Sequence, residues 1–144
     1  MSTPIYISAD EAMLHVKSGN RVFIHGGAAT PVPLVEALQL RYHALQDIEL
    51  VSITTLGGVN FDNPAHQQSF FFNSLFVSNT TRNVVNSEHG DYVPIFLSQI
   101  PQLFHKNILP IDVALIQVSP PDLHGFCSLG TSVDIARAVV DTAK

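Results

Sequence analysis

The chain has 144 residues, 46% of them apolar, with seven Lys and Arg against twelve Asp and Glu for a formal net charge of −5. That length encloses one ordinary core rather than two, and the charge balance leaves no basic stripe on which a phosphate backbone could release counterions, so nucleic acid is not an expected partner. No apolar run reaches the ~20 residues that span a bilayer, Met1 to Ser8 lacks a basic start and an apolar h-region, and the single Cys127 has no intramolecular partner, so the expectation is a cytoplasmic protein without membrane contact or disulfide.

Ser8 followed by Glu11 reads as a capping box, and Ala9, Ala12, Met13 and Val16 recur with helical spacing, which predicts a helix over residues 8 to 18 stopped by Gly19. Arg21 to His25 predicts a short strand ending at Gly26-Gly27. Thr30 is placed to cap the next helix, with Pro31 in its first turn and Leu34, Leu38, Tyr42 and Leu45 on one face. Ile48 to Ile53 restores strand character before the turn Thr54-Thr55-Leu56-Gly57-Gly58, which completes a βαβ unit.

Residues 57 to 69 have no usable period and read as a loop, after which Phe70 to Val77 predicts a further strand. A short helix from Asn79 or Thr80 through Val85 and another from Ser98 to near Asn107 follow, with Pro94 between them allowing an edge strand or none. Val113 to Val118 contains a continuous apolar run of the kind buried on both faces of a parallel sheet, which predicts an interior strand closed by Ser119-Pro120-Pro121-Asp122. Ser132, with Asp134 in its first turn, opens a last helix carrying Ile135, Ala138 and Val139. The alternation predicts an open, mainly parallel α/β sheet flanked by helices.

Such sheets bind ligands beyond the carboxyl ends of their strands, where this chain has Gly26 to Pro31, Leu56-Gly57-Gly58 and Ser119 to Asp122. In the first loop, Gly26, Gly27, Ala28, Ala29 and Thr30 are small enough for main-chain N–H groups to approach a thioester oxyanion or a phosphate, with a helix dipole behind them. The competing reading is a plain strand-to-helix turn, since neither a G-x-G-x-x-G nor a P-loop pattern is present. The seven histidines form no metal-ligand spacing apart from His89-Gly90-Asp91, which reads better as a surface loop, and no metal site is expected. Asp122, His124 and Ser128 lack a nucleophile elbow, and Asp122 with Gly125 reads as a type I turn. Of the four glutamates, Glu11, Glu36 and Glu49 fit capping and solvation, which leaves Glu88 as the glutamate in a loop.

Four stretches together resemble the N-terminal region of acetyl-CoA hydrolase/transferases, which include 4-hydroxybutyrate and butyrate:acetate CoA-transferases: Ser8 to Ala12, Gly19 to Pro31, Asp91 to Ser98, and the long and specific Asp112 to Gly130. The resemblance implies a fold of the CoA-transferase/sugar-isomerase kind, with residues 1–144 as an incomplete N-terminal domain. It also implies that a glutamate in a C-terminal half attacks an acyl-CoA, passes through an anhydride and carries CoA as a glutamyl thioester until a second carboxylate resolves it.

On that basis no catalytic residue lies in this chain, the isolated chain is inactive, and Gly26 to Thr30 with Gly57 and Gly58 line the site as its oxyanion loop. The implied partners are an acyl-CoA, a small carboxylate, the C-terminal half and further copies of the same enzyme. No cofactor is permanently bound; the coenzyme A thioester is substrate. Before Asp91 the family commonly shows Gly-Arg-Ala where this chain has Glu88-His89-Gly90, so the cationic role of that arginine has no counterpart there, and Arg82 is the nearest cation. Acyl-CoA hydrolysis on the same scaffold and a non-catalytic ligand-binding module are the alternatives.

Overall fold

Residues 6–57 and 61–144 are described by a computed structural model; Gly58, one of the expected loop residues, lies outside them. The apolar runs become strands: β1 Arg21–Ile24, β2 Ile48–Ser52, β3 Phe70–Ser74, β4 Gly90–Tyr92 and β5 Val113–Leu115. They form one sheet in the order β4-β3-β2-β1-β5, every neighbouring pair parallel. The helices are α1 Ala9–Met13, α2 Val32–Leu40, α3 Arg82–Val85, α4 Ile100–His105 and α5 Ala136–Thr142.

Alternate strand residues feed two cores, one on each face, as the two-residue period of a pleated strand requires. Val22, Ile24, Leu50 and Phe72 pack with Met13, Val35, Leu38 and Val84 beneath α1, α2 and α3. Phe23, Val51 and Leu75 pack with Ile100, Phe104, Ile135 and Val139 beneath α4 and α5. The chain therefore winds outward from β1 to β4 with helices on one face, then crosses back over the other face through α4 to lay β5 on the far side of β1. Right-handed crossovers force this change of face when the winding direction reverses.

The structure corrects four expectations. Val113–Leu115 is an edge strand, paired with β1 alone among the described residues. Leu115 enters the first core while Ala114 and Ile116 join the second, so both faces are covered; apolarity reports covered faces and is silent about lateral neighbours. The first helix keeps its capping box, with the Glu11 N–H donating to Ser8 Oγ at 3.2 Å and the Ser8 N–H to Glu11 Oε2 at 2.9 Å, but ends at Met13 instead of residue 18. The Arg41 guanidinium donates to the carbonyls of Met13 and Val16, and tighter turns carry the chain onward. Thr30 does not cap α2, which starts at Val32 behind Pro31 without a side-chain cap. The last helix starts at Ala136, four residues beyond Ser132.

A polar ladder runs across the sheet from the amino ends of β5, β1 and β2 to Asn73 in β3. Asp112 Oδ2 accepts from the Arg21 N–H at 2.9 Å, Arg21 Nε donates to Glu49 Oε2 at 2.7 Å, and Asn73 Nδ2 donates to Glu49 Oε1 at 2.8 Å. Each bond stitches one strand or its approach to the next and adds to the register that the buried faces already specify.

Asp112 also accepts from Lys144 Nζ at 2.8 Å, and the Arg21 N–H first, then Lys144, hold its carboxyl below the ordinary value of 3.8. A carboxyl whose value is lowered by folding stabilises the fold above its unfolded value, and that contribution disappears as pH falls through the folded one. Asp112→Asn should therefore lower the unfolding midpoint at neutral pH, and the gap from the unmodified protein should close on acidification below pH 3.8. Chemical unfolding across pH checks this, and a gap independent of pH would assign the loss to something other than charge.

Candidate functional site

The chain leaves β1 toward α2 on one face and leaves β5 toward α5 on the other, so a crevice opens between their carboxyl ends. This is the topological switch point at which open α/β sheets hold ligands. His25 and Gly26-Gly27 from β1, Thr54 to Gly57 after β2, Gln117 beyond β5 and Ser132 ahead of α5 meet there.

His25 is fully buried, and its ring is held at both nitrogens. Nδ1 accepts from the Gln117 N–H at 3.2 Å, which leaves Nε2 to donate to the Ser132 carbonyl at 2.5 Å. These partners select the tautomer with the proton on Nε2. One imidazole thus joins the end of β1 to both feet of the 118–131 loop.

Three of the five main-chain N–H groups of the Gly26 to Thr30 loop are engaged within the protein. The Gly27 N–H donates to Thr54 O at 2.6 Å, Ala29 to Gly26 O at 3.3 Å and Thr30 to Gly27 O at 3.2 Å. Thr30 Oγ1 donates to Gly27 O at 2.8 Å and accepts from the Leu56 N–H at 3.0 Å, joining the loop after β1 to the loop after β2. At the start of α2, Val32, Leu34 and Val35 donate to Thr30 O and Pro31 O, while Pro31 and Pro33 carry no N–H. Two N–H groups of the loop have no hydrogen-bond partner among the described residues, that of buried Gly26 and that of Ala28, and of the two Ala28 is the one exposed, at the crest.

Glycine is required at three points for steric reasons. A Cβ at Gly26 would lie 2.7 Å from Ile53 Cγ1, at Gly27 (φ +59°) 2.9 Å from Ser132 Oγ, and at Gly57 (φ +83°) 2.6 Å from Val32 Cγ2. The glycines therefore let the loops after β1 and β2 close on each other and on the approach to α5.

Hydroxyls line the neighbouring wall. Buried Thr55 Oγ1 lies 2.7 Å from Thr80 Oγ1, which lies 2.7 Å from Ser78 Oγ. Beside them an apolar groove of about 200 Å³ runs between Ile53, Thr54, Leu75, Phe76, Ile95, Leu97 and Ile100. No glutamate reaches this end of the sheet: Glu11 caps α1, Glu36 lies on the exposed face of α2, Glu49 is in the ladder, and Glu88 precedes β4 at its amino end.

Asp122 and Gly125 form the expected turn, with the Gly125 N–H donating to Asp122 O at 3.0 Å. Asp122 Oδ1 accepts main-chain N–H groups from His124 and Phe126, and Ser128 Oγ accepts from Gly130, so these side chains serve the loop. Asp91 Oδ1 accepts from the Tyr92 N–H, and no three His, Cys, Asp or Glu come together among the described residues. His25, Ser132 and the Thr55–Thr80 pair escape a reading by spacing, since their partners are 107 and 25 positions away. The available signal for His25 was a polar residue at the end of an apolar strand, directly before Gly-Gly.

Residues 4–144 match the family model described as the acetyl-CoA hydrolase/transferase N-terminal domain. A succinyl-CoA:acetate/propanoyl-CoA:succinate CoA transferase of Fasciola hepatica is 44% identical over 138 residues, covering 94% of this chain and 28% of that protein. A 4-hydroxybutyrate coenzyme A transferase of Clostridium kluyveri is 37% identical, covering 96% of this chain and 32% of that protein. The crystal structure of RipA from Yersinia pestis superposes with a TM-score of 0.84 at 26% identity, over 95% of this chain and 34% of that one. The chain thus spans about a third of the length of such relatives.

Gly27→Ala should destabilise the protein by about 1–2 kcal/mol through its left-handed backbone alone, and further through the approach to Ser132 Oγ. Adding Ser132→Ala should recover the second part and leave the first, a non-additivity that a double-mutant cycle in denaturant resolves. Strictly additive effects would mean that Gly27 and Ser132 do not press on each other.

Proposed function

Because the chain belongs to the acetyl-CoA hydrolase/transferase family, we propose that it forms the N-terminal, substrate-cradling portion of an acyl-CoA:carboxylate CoA-transferase whose acyl-accepting glutamate lies outside these 144 residues. The observation that carries this reading is the crevice itself: main-chain donor, hydroxyls and apolar groove converge at one end of the sheet, and all four glutamates lie elsewhere.

In the proposed reaction the incoming glutamate carboxylate adds to the thioester carbonyl, and expulsion of the CoA thiolate leaves a mixed anhydride. The thiolate returns to the glutamyl carbonyl, releasing the first acid, and an acceptor carboxylate reverses the sequence to form the new thioester. Each addition generates an oxyanion. The Ala28 N–H at the exposed crest of the loop is the donor this chain offers it, and Gly26, Gly27, Ala29, Thr30 and Gly57 hold that crest in place. The groove between Ile53 and Phe76 receives the acyl chain. Coenzyme A enters as substrate, with no resident cofactor in the scheme. Hydrolysis would use the same cradle with water as acceptor.

Incubating the full-length protein with acyl-CoA, reducing with borohydride and mapping the modified peptide should place the adduct on a glutamate beyond Lys144, with CoA exchange onto a supplied carboxylate. The 144-residue chain alone should turn over nothing. An adduct on Glu88 would overturn the assignment, and release of free acid without exchange would favour the hydrolase. Ala28→Pro, which deletes the N–H, should lower kcat by about 10²-fold to 10³-fold while the unfolding midpoint reports any structural share.

A further inference from the structure

We propose that the Ser119 to Ser128 hairpin is a preformed docking element that seats in the polypeptide following Lys144, so that the same contact closes the crevice. This rests on the transferase reading above. The hairpin is built to hold a shape without a core of its own: the Ser119 N–H donates to Ser128 O, Asp122 to Phe126 O and Gly125 to Asp122 O, while Asp122 Oδ1 takes the N–H groups of His124 and Phe126. Both of its feet are tied to His25, through Gln117 and Ser132. A rigid mount of this kind removes ordering entropy from a later binding step.

What the mount presents is apolar. Leu123 is 102% exposed and Phe126 74% exposed, and Leu56, Phe76, Phe96 and Leu97 are bared along the same carboxyl end of the sheet. On the hairpin itself Leu123 and Phe126 stand three positions apart, and exposed apolar side chains grouped on one rigid element mark an interaction site. The occupant follows from two observations. The matched domain is the N-terminal one and spans about a third of its relatives, so further polypeptide is expected to follow it. A second copy meeting this one through the same surface would bring no glutamate to the crevice, because all four lie away from this end of the sheet.

Cys127 stands exposed beside Phe126 and provides the probe. In the native full-length protein, maleimide labelling of Cys127, followed by peptide mapping, should be about tenfold or more slower than in the unfolded protein. Leu123→Asp should restore fast labelling, and Leu40→Asp, an exposed position at the far end of α2, should not. Fast labelling in the unmodified protein overturns the proposal, as does protection that vanishes on dilution to monomers, which would make the occupant a second copy. Protection without transferase activity would sink the functional reading and leave the docking intact; activity with an unprotected Cys127 would do the reverse.

Discussion

The imidazole of His25 is the interaction on which the crevice depends. It is buried where β1 and β5 part, and a group with one donor and one acceptor is needed there, because the Gln117 N–H and the Ser132 carbonyl both point inward. An apolar residue of similar volume would leave both main-chain groups without partners, at a cost of about 1–3 kcal/mol for each buried orphan. A hydroxyl is too short to span them. The bonds also set how near Ser132 stands to Gly27, and so the shape of the turn that carries Ala28.

Around that point the sheet is organised from both ends. The ladder of Asp112, Arg21 and Glu49, reaching Asn73 in β3, joins the amino ends of β5, β1 and β2, where charge is paired and half-buried. The opposite end carries neutral donors, hydroxyls and apolar side chains. In the proposed reaction this partition would suit the arrival of a carboxylate, since a charged ladder at the crevice would perturb it whereas a main-chain N–H favours it at little reorganisation cost.

Much of this was legible in the sequence because local rules agreed with the fold. Arg21–Ile24 and Ile48–Ser52 have strand composition, glycines at turns and a helix-length run between them, and nothing in the tertiary structure opposes them. The place of β5 at the edge was not legible, because Ala114 and Leu115 are apolar on account of the helices above and below. Thr30 carries the signature of a helix cap, but its hydroxyl is drawn to Gly27 O and the Leu56 N–H, partners that exist only once the β2 loop has folded alongside. The loop from Gly26 to Thr30 could be located by pattern, whereas the fate of each N–H needed coordinates. The role of His25 needed two partners far apart in sequence.

The two edges of the sheet have a consequence for how the chain behaves in a crowd. β4 and β5 are three residues each among the described residues, shorter than the strands they flank, and β4 presents exposed Asp91 and is followed within two residues by Pro94. A strand edge templates foreign strands in proportion to the length of its open row of main-chain groups, and charge or proline interrupts the row. On the β4 side, an approaching strand would find room for one or two ladder bonds before meeting a ring that has no N–H to give. That edge is thereby poorly suited to seeding cross-β assembly, while β2, with its buried Ile48, Leu50 and Val51, is shielded between β1 and β3.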